Sequence, residues 1–165
     1  MGETTTLTAS DGHTLGAYIS RPDGPAKGGI VVVQEIFGVN EHIRDVTDQY
    51  AGLGYAAIAP AFFDRIERDI QLGYDEPGFA RGRELIGEIG FEEPLLDLAA
   101  GAAAVADAGD VSTVGYCWGG AIVWLAASEI EGLSHAISYY GSRIAQFQDR
   151  APKIPTMMHV GREDA

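Results

Sequence analysis

Hydrophobic and polar positions alternate with two periods along this chain. Residues 4–9 and 15–20 are short, polar-tolerant runs that flank Asp11-Gly12, which predicts a β-hairpin. Gly28-Gly29 leads into Ile30-Val31-Val32-Val33, an unbroken β-branched run of the kind buried on both faces of a parallel sheet. Asn40 is placed to cap a helix over residues 41–53, with Ile43, Val46, Tyr50 and Leu53 on its apolar face and Gly54 as its stop. Residues 55–59 predict a second buried strand, closed by Pro60, and residues 64–78 read as a loop-like excursion. The helical period returns from Phe79 with a break near Gly90, and an alanine-rich helix is predicted over residues 92–108 with Pro94 in its first turn. Strands are predicted at 111–116, 135–140 and 155–160, with a helix over 119–128. Strands alternating with helices imply βαβ units, so the fold class is α/β with a mostly parallel, doubly wound sheet in a single domain over residues 1–165.

Composition narrows the function classes. Hydrophobic residues make up 46% of the chain, enough for a packed core, and no run of about eighteen apolar residues exists to span a membrane. Eleven lysines and arginines stand against 24 acids, a net charge of -13, which repels nucleic acid and anionic membrane surfaces. The single cysteine rules out an internal disulfide and a cysteine-cluster metal site. Histidines and acids fall at no metal-ligand spacing, and no G-x-G-x-x-G follows the first buried strand, so no metal and no cofactor is expected. The polar first ten residues lack a signal-peptide pattern, so the default expectation is a soluble cytoplasmic domain.

Three segments carry candidate chemistry. Gly115-Tyr116-Cys117-Trp118-Gly119 lies between a predicted strand and a small-residue helix, the context a G-x-nucleophile-x-G elbow requires. Such a turn presents the thiol at the C-terminal edge of the sheet, near a helix N-terminus whose partial positive charge favours a thiolate. The Trp118 amide would face the same point as an oxyanion donor. The bland alternative is an inert, buried cysteine in a glycine-rich turn. Gln34-Glu35-Ile36-Phe37-Gly38 ends the first buried strand; it places Glu35 beside the crevice where α/β folds bind ligands and offers the Ile36 amide as a second donor. Its alternative is a water-exposed loop carboxylate. Met158-His159-Val160-Gly161-Arg162-Glu163-Asp164 puts an acid in a post-strand turn, where Asp164 would orient a triad histidine or simply serve the turn. His159 reads as a packed core residue, His13 and His42 as solvated, and His135 has no assigned role, so none of the four occupies an obvious base position.

Together these words resemble the dienelactone hydrolase (carboxymethylenebutenolidase) family of the α/β-hydrolase superfamily. The matching stretches are Gln34-Glu35-Ile36-Phe37-Gly38-Val39-Asn40, Gly54-Tyr55-Ala56-Ala57-Ile58-Ala59-Pro60, Gly115-Tyr116-Cys117-Trp118-Gly119-Gly120, Tyr139-Tyr140-Gly141 and Gly161-Arg162-Glu163-Asp164, with Asp11-Gly12-His13 near the start. Most α/β-hydrolases carry serine where Cys117 stands. The resemblance implies a cysteine hydrolase of small lactones or esters that opens dienelactone to maleylacetate in the degradation of chlorinated aromatics. It implies Cys117 as nucleophile, Asp164 as triad acid, Ile36 and Trp118 as oxyanion donors, and Glu35 as the group holding the thiol proton until substrate releases it. Substrate binding maps to Arg81, with Arg83 as the alternative, and to Phe37.

The family chain is longer, and its histidine follows a further strand in a Gly-His word. The resemblance therefore implies an α/β-hydrolase fold that is C-terminally incomplete, lacking the last strand, the histidine loop and the closing helix. Apolar sheet surface and a strand edge would then lie open. The missing part would be a separate or cleaved complementing C-terminal segment, a truncation, or a base recruited elsewhere in a short form. Expected partners are the small-molecule lactone or ester and, for the open edge, a homodimer mate or that segment; nucleic acid and membrane are not expected. Two further readings compete: a promiscuous esterase or thioesterase, and a non-catalytic fragment that needs a partner chain to complete its sheet.

Overall fold

A computed structural model of the chain describes residues 2–162 and 164. β1 (Glu3–Thr8) and β2 (Thr14–Ser20) form the antiparallel hairpin, in register from Glu3–Ile19 to Thr8–Thr14. Its turn is set by Gly12 at φ 87 and by Asp11, whose carboxylate accepts the His13 amide at 3.0 Å. β3 (Gly29–Val33) and β4 (Ala56–Pro60) are buried at every residue, as continuous apolar runs require. β5 (Val111–Tyr116), β6 (Leu133–Tyr139) and β7 (Thr156–His159) complete a seven-stranded sheet of order β1-β2-β4-β3-β5-β6-β7. β1, β2 and β4 pair antiparallel; every pair from β4 through β7 is parallel.

Helices cover both faces. α1 (Glu41–Gly52) starts at Asn40, whose side chain accepts the Ile43 amide at 3.2 Å, and packs Ile43 and Val46 against Ile30, Val32 and Val114. α2 (Glu76–Ile89), α3 (Glu92–Ala104) and α4 (Trp118–Glu129) lie on the other face, with the opposite side chains of β3, Val31 and Val33, in their core. Period-2 alternation thus serves two cores from one strand, and each fully buried valine or isoleucine contributes about 1.5–3 kcal/mol.

Several expectations need correction. α1 ends at Gly52; Leu53 is its C-cap, its amide still donating to the Gln49 carbonyl at 3.0 Å, and its side chain is exposed rather than packed on the apolar face. The excursion gives up its last residues to α2, which begins at Glu76 because Asp75 accepts the Gly78 amide at 2.8 Å and Pro77 suits the first turn. The predicted helix over 92–108 splits at Val105 into α3 and a 3-10 turn, Ala106–Ala108. Two further 3-10 turns, Phe62–Arg65 and Ile144–Phe147, were not anticipated. On the α1 face, an apolar groove lined by Ile30, Tyr50, Tyr55, Ile137 and Met157 lies open, and Met157, Met158 and Val160 are exposed on the β7 edge.

Candidate active site

Three strand ends converge at the C-terminal edge of the sheet. β3 runs into Gln34 and Glu35, β5 into Cys117, and β6 into Tyr140. β3 and β5 are paired at Val33–Gly115, so Glu35 and Cys117 each lie two residues beyond one rung. Cys117 has φ 55 and ψ -119, a backbone conformation that costs a non-glycine residue on the order of 1–3 kcal/mol. The turn is held from several sides: the Cys117 amide donates to the Tyr139 carbonyl at 3.0 Å, and the Cys117 carbonyl accepts from Gly120 at 2.9 Å and Ser142 at 3.3 Å. This is the strained elbow that the sequence word predicts, and the thiol is half-buried rather than sealed in the core.

The glycines make the turn sterically feasible. A Cβ on Gly119 would sit 2.7 Å from the Val33 carbonyl oxygen and closer still to that of Gln34. A Cβ on Gly120 would meet Ser138 Oγ at 2.7 Å. The N-terminus of α4 is therefore pressed against the end of β3. Trp118 is the first residue of α4, so its N–H has no intrahelical acceptor. Among the described residues no acceptor takes the Ile36 N–H either. The Trp118 indole is wholly buried against Phe62, Phe63 and Phe91, so only its backbone faces the site.

Glu35 is buried, with 9% of its surface accessible, which removes the water-exposed alternative. Its Oε2 accepts the Tyr74 hydroxyl at 2.5 Å and its Oε1 accepts the Tyr140 hydroxyl at 3.2 Å. Burial, then the bond to Glu35, pushes the Tyr74 hydroxyl up to about 12. Burial, the Glu35 charge and its hydrogen bond also raise the Tyr140 hydroxyl. Neither tyrosine was singled out from the sequence as a site residue. The neighbour of the Cys117 sulfur is Ser142 Oγ, 4.0 Å away, also unanticipated. Tyr140 (φ 39) and Arg143 (φ 72) share the left-handed backbone of Cys117, so strain gathers around the elbow. That signal is invisible in composition or periodicity.

Phe37 is buried with its ring 4.3 Å from Tyr74 and 4.9 Å from Phe79. α2 crosses this loop at Gly82, where a Cβ would meet Ile36 Cγ1 at 3.0 Å. Arg81, next to that crossing, is paired with Glu67 at 2.7 Å and Glu84 at 3.1 Å; Arg83 is exposed. Asp164 lies in the turn after β7, where its carboxylate accepts the Gly161 amide, and it is exposed; Glu163 of the same word lies outside the described residues. The structure thus brings Cys117, Glu35, Ile36 and Trp118 together. Among the described residues it gives Arg81 and Asp164 no hydrogen bond to any of them.

Two histidine readings are corrected. His159 is exposed on edge strand β7, stacked 4.4 Å from the Tyr139 ring, because among the described residues no element covers that side of the strand. His13 is half-buried with Nε2 unpartnered, since the hairpin folds onto the Arg65–Asp97 pair. His42 is exposed, 6.2 Å ring to ring from Tyr74, and His135 is exposed on β6. No histidine hydrogen-bonds Cys117 or Asp164 among the described residues. Among the same residues no helix is long and apolar enough to cross a membrane, and no group of three or more metal-ligating side chains forms.

Known proteins resemble this chain in sequence and in fold. The sequence model of the dienelactone hydrolase family matches residues 15–165. A protein of Escherichia coli (strain K12) named "Putative carboxymethylenebutenolidase" is 39% identical over 157 residues, 91% of this chain and 56% of that protein. The "Carboxymethylenebutenolidase" of Pseudomonas putida is 31% identical over 165 residues, 96% of this chain and 70% of its own length. A crystal structure from Klebsiella pneumoniae, named as a "Putative Dienelactone Hydrolase", superposes with a TM-score of 0.71 at 32% identity, over 94% of this chain and 71% of that one. An alpha-beta serine hydrolase homologue from Coxiella burnetii shares the fold at a TM-score of 0.66 and 17% identity, so the sheet is that of an α/β-hydrolase. The chain spans about half the length of the curated relatives it matches first.

Proposed function

Because this chain belongs to the dienelactone hydrolase family, we propose that it is a carboxylic ester hydrolase that opens small lactones through a Cys117 thiolate. The observation that carries this reading is the elbow, with the sulfur on a strained φ 55 residue at the start of α4, and the Ile36 and Trp118 amides are proposed as the donors that grip the oxygen. In the proposed reaction the thiol proton leaves for a base and the sulfur lone pair attacks the lactone carbonyl carbon. The carbonyl oxygen becomes anionic and accepts hydrogen bonds from the Ile36 and Trp118 amides, each worth about 2.7–4 kcal/mol in such a site. Collapse breaks the ring C–O bond, the released oxygen takes a proton, and a thioester on Cys117 remains. Water then attacks the thioester carbonyl, returning the thiol and the carboxylate product.

Asp164 is proposed as the acid that orients a triad histidine, a part that none of His13, His42, His135 and His159 takes in this structure. Phe37 is proposed to wall the acyl pocket, and Arg81 to bind a substrate carboxylate after leaving Glu67 and Glu84. That pairing is also what favours a second reading, an esterase or thioesterase with broader acyl preference, since an arginine held by two acids offers less to a charged lactone. Comparing dienelactone with a neutral aryl ester separates the two: only a free cationic clamp gives preference to the charged substrate. With protein in excess over dienelactone, so that acylation alone is read, Cys117→Ala is expected to lower ring opening by at least about a thousandfold. Ring opening that survives the substitution contradicts the mechanism.

A further inference from the structure

One hydroxyl beside the elbow has no part in the proposed reaction. Ser142 lies in the loop after β6, and that loop grips the elbow at several points. The Tyr139 carbonyl accepts the Cys117 amide at 3.0 Å, and the Ser142 amide donates to the Cys117 carbonyl at 3.3 Å. Two glycines in contact make this grip possible: a Cβ on Gly120 would stand 2.8 Å from Gly141 Cα, and one on Gly141 would stand 3.1 Å from the Gly120 carbonyl carbon. The loop then leaves through Arg143, whose φ of 72 turns the chain into the 3-10 turn Ile144–Phe147. That turn is tied to α4 by the Trp124 indole N–H, which donates to the Phe147 carbonyl at 3.3 Å. Ser142 is thus held on both sides, and it is half-buried. Any residue but proline at this position would supply the amide. The hydroxyl is what adds a contact to the sulfur, with Ser142 Oγ 4.0 Å from Cys117 Sγ.

We propose that Ser142 is a positioning residue that acts through the sulfur: its hydroxyl donates a hydrogen bond to Cys117 and favours the thiolate over the thiol. This deepens the reading of Cys117 as nucleophile and rests on it. With the thiol neutral, either atom can donate across this contact. Once the proton has left, the thiolate has none to give, so the hydroxyl becomes the donor. Such charge-assisted bonds are shorter and stronger than neutral ones, and a separation at the outer edge of sulfur contact leaves room for tightening on ionisation. A donor that serves the charged form better than the neutral one favours ionisation. The N-terminus of α4 acts in the same direction. The other titratable or charged groups at the elbow are Glu35 after β3, the phenols of Tyr74, Tyr116 and Tyr140, His159 stacked on Tyr139, and exposed Arg143. A change confined to the Ser142 side chain leaves all of them in place.

Cys117 is the chain's only cysteine, so alkylation by iodoacetamide reads one thiol. Its rate is followed from about pH 5 to about pH 10.5 in the parent chain, in Ser142→Ala and in Ser142→Thr. Alanine keeps the amide on the Cys117 carbonyl and removes only the hydroxyl. Losing a donor to the charged form moves ionisation to higher pH, so the thiolate fraction falls at low pH and is unchanged once both chains are fully ionised. Ser142→Ala is therefore expected to react about tenfold more slowly at about pH 6, the lower end of what one hydrogen bond to a charged group is worth, and to converge on the parent rate by about pH 10.5. Ser142→Thr retains a hydroxyl and is expected to stay within about threefold of the parent at about pH 6. A fall below about threefold in Ser142→Ala, a fall of equal size at every pH, or a threonine variant as slow as the alanine one overturns the proposal. A uniform fall would mean that access to the sulfur had changed, not its ionisation. Far-UV circular dichroism checks that each variant is folded. The two readings fail separately: ring opening that survives Cys117→Ala removes the nucleophile, whereas an unshifted pH profile in Ser142→Ala removes only the role of the hydroxyl.

Discussion

Substituting Gly119 by alanine tests whether the elbow is built by close approach of α4 to β3. The new Cβ would stand 2.7 Å from the Val33 carbonyl oxygen and 3.0 Å from Val33 Cγ1, and still closer to the Gln34 carbonyl oxygen. Ordinary contact of carbon with these atoms is about 3.4 Å, so the helix start must retreat by about 0.7 Å or more from a buried central strand. The atoms in the way are backbone and have no rotamer to escape into, which puts the cost near the upper part of the overpacking range, about 2–3 kcal/mol. For a domain of this size that corresponds to a fall in Tm of about 5–10 °C. Gly52→Ala is the matched control, since a Cβ there meets nothing within 4 Å at the end of α1, and it is expected to leave Tm unchanged or slightly raised. Thermal unfolding followed by circular dichroism reads both variants. The same retreat parts the Trp118 amide from that of Ile36, so lactone acylation is expected to fall by about ten- to a hundredfold. A Gly119→Ala chain within about 0.5 kcal/mol of the parent would refute the reasoning, because the glycine would then not be holding the two segments together.

Other perturbations reach the supports of the site. Asp97 is fully buried and receives Arg65 Nε and Nη2 at 2.8 Å each, so Asp97→Asn leaves a buried guanidinium with only Asp11 and is expected to cost about 3 kcal/mol in urea unfolding. Glu35→Gln removes the carboxylate whose hydrogen bond, after burial, raises Tyr74, so difference spectrophotometric titration against Tyr74→Phe should show this phenol ionising at a lower pH than in the parent chain. Burial works against the Asp48 carboxylate, yet hydrogen bonds from Ser20, Tyr18 and the Gly2 amide hold it below 3.8 in the folded chain. Its contribution to stability is therefore present above pH 3.8 and lost as pH falls through the folded value, and Asp48→Asn should flatten that acid limb of unfolding.

The sheet was legible because its signals are local. The Ile30–Val33 run and the strand that leads into Cys117 owe their burial to β-branched and small residues that any reading of period detects, and Asn40 announced its own helix. Helix ends were harder to place. Leu53 fits the apolar stripe of α1 yet lies past its stop, and the first residues of α2 were hidden by the polar Asp75-Glu76-Pro77-Gly78, which is a capping sequence as much as a loop. Within the candidate site, the placement of Cys117 and Glu35 just past the ends of β5 and β3 was legible because the elbow and the strand end are short words whose backbone context is part of the signal. Tyr74 and Tyr140 lie 39 and 105 residues from Glu35, and only the folded topology brings their hydroxyls onto one carboxylate. The two ion pairs of Arg81 were likewise out of reach, since Glu67 approaches it across the excursion rather than along α2.

The most direct test of the account is to locate the acyl group itself. After brief reaction with an activated aryl ester and acid quench, peptide mass mapping is predicted to find one acyl group per chain, on the peptide that contains Cys117. Acylation of another residue, or ester cleavage with Cys117 already blocked by alkylation, would contradict the claim that this sulfur carries the chemistry.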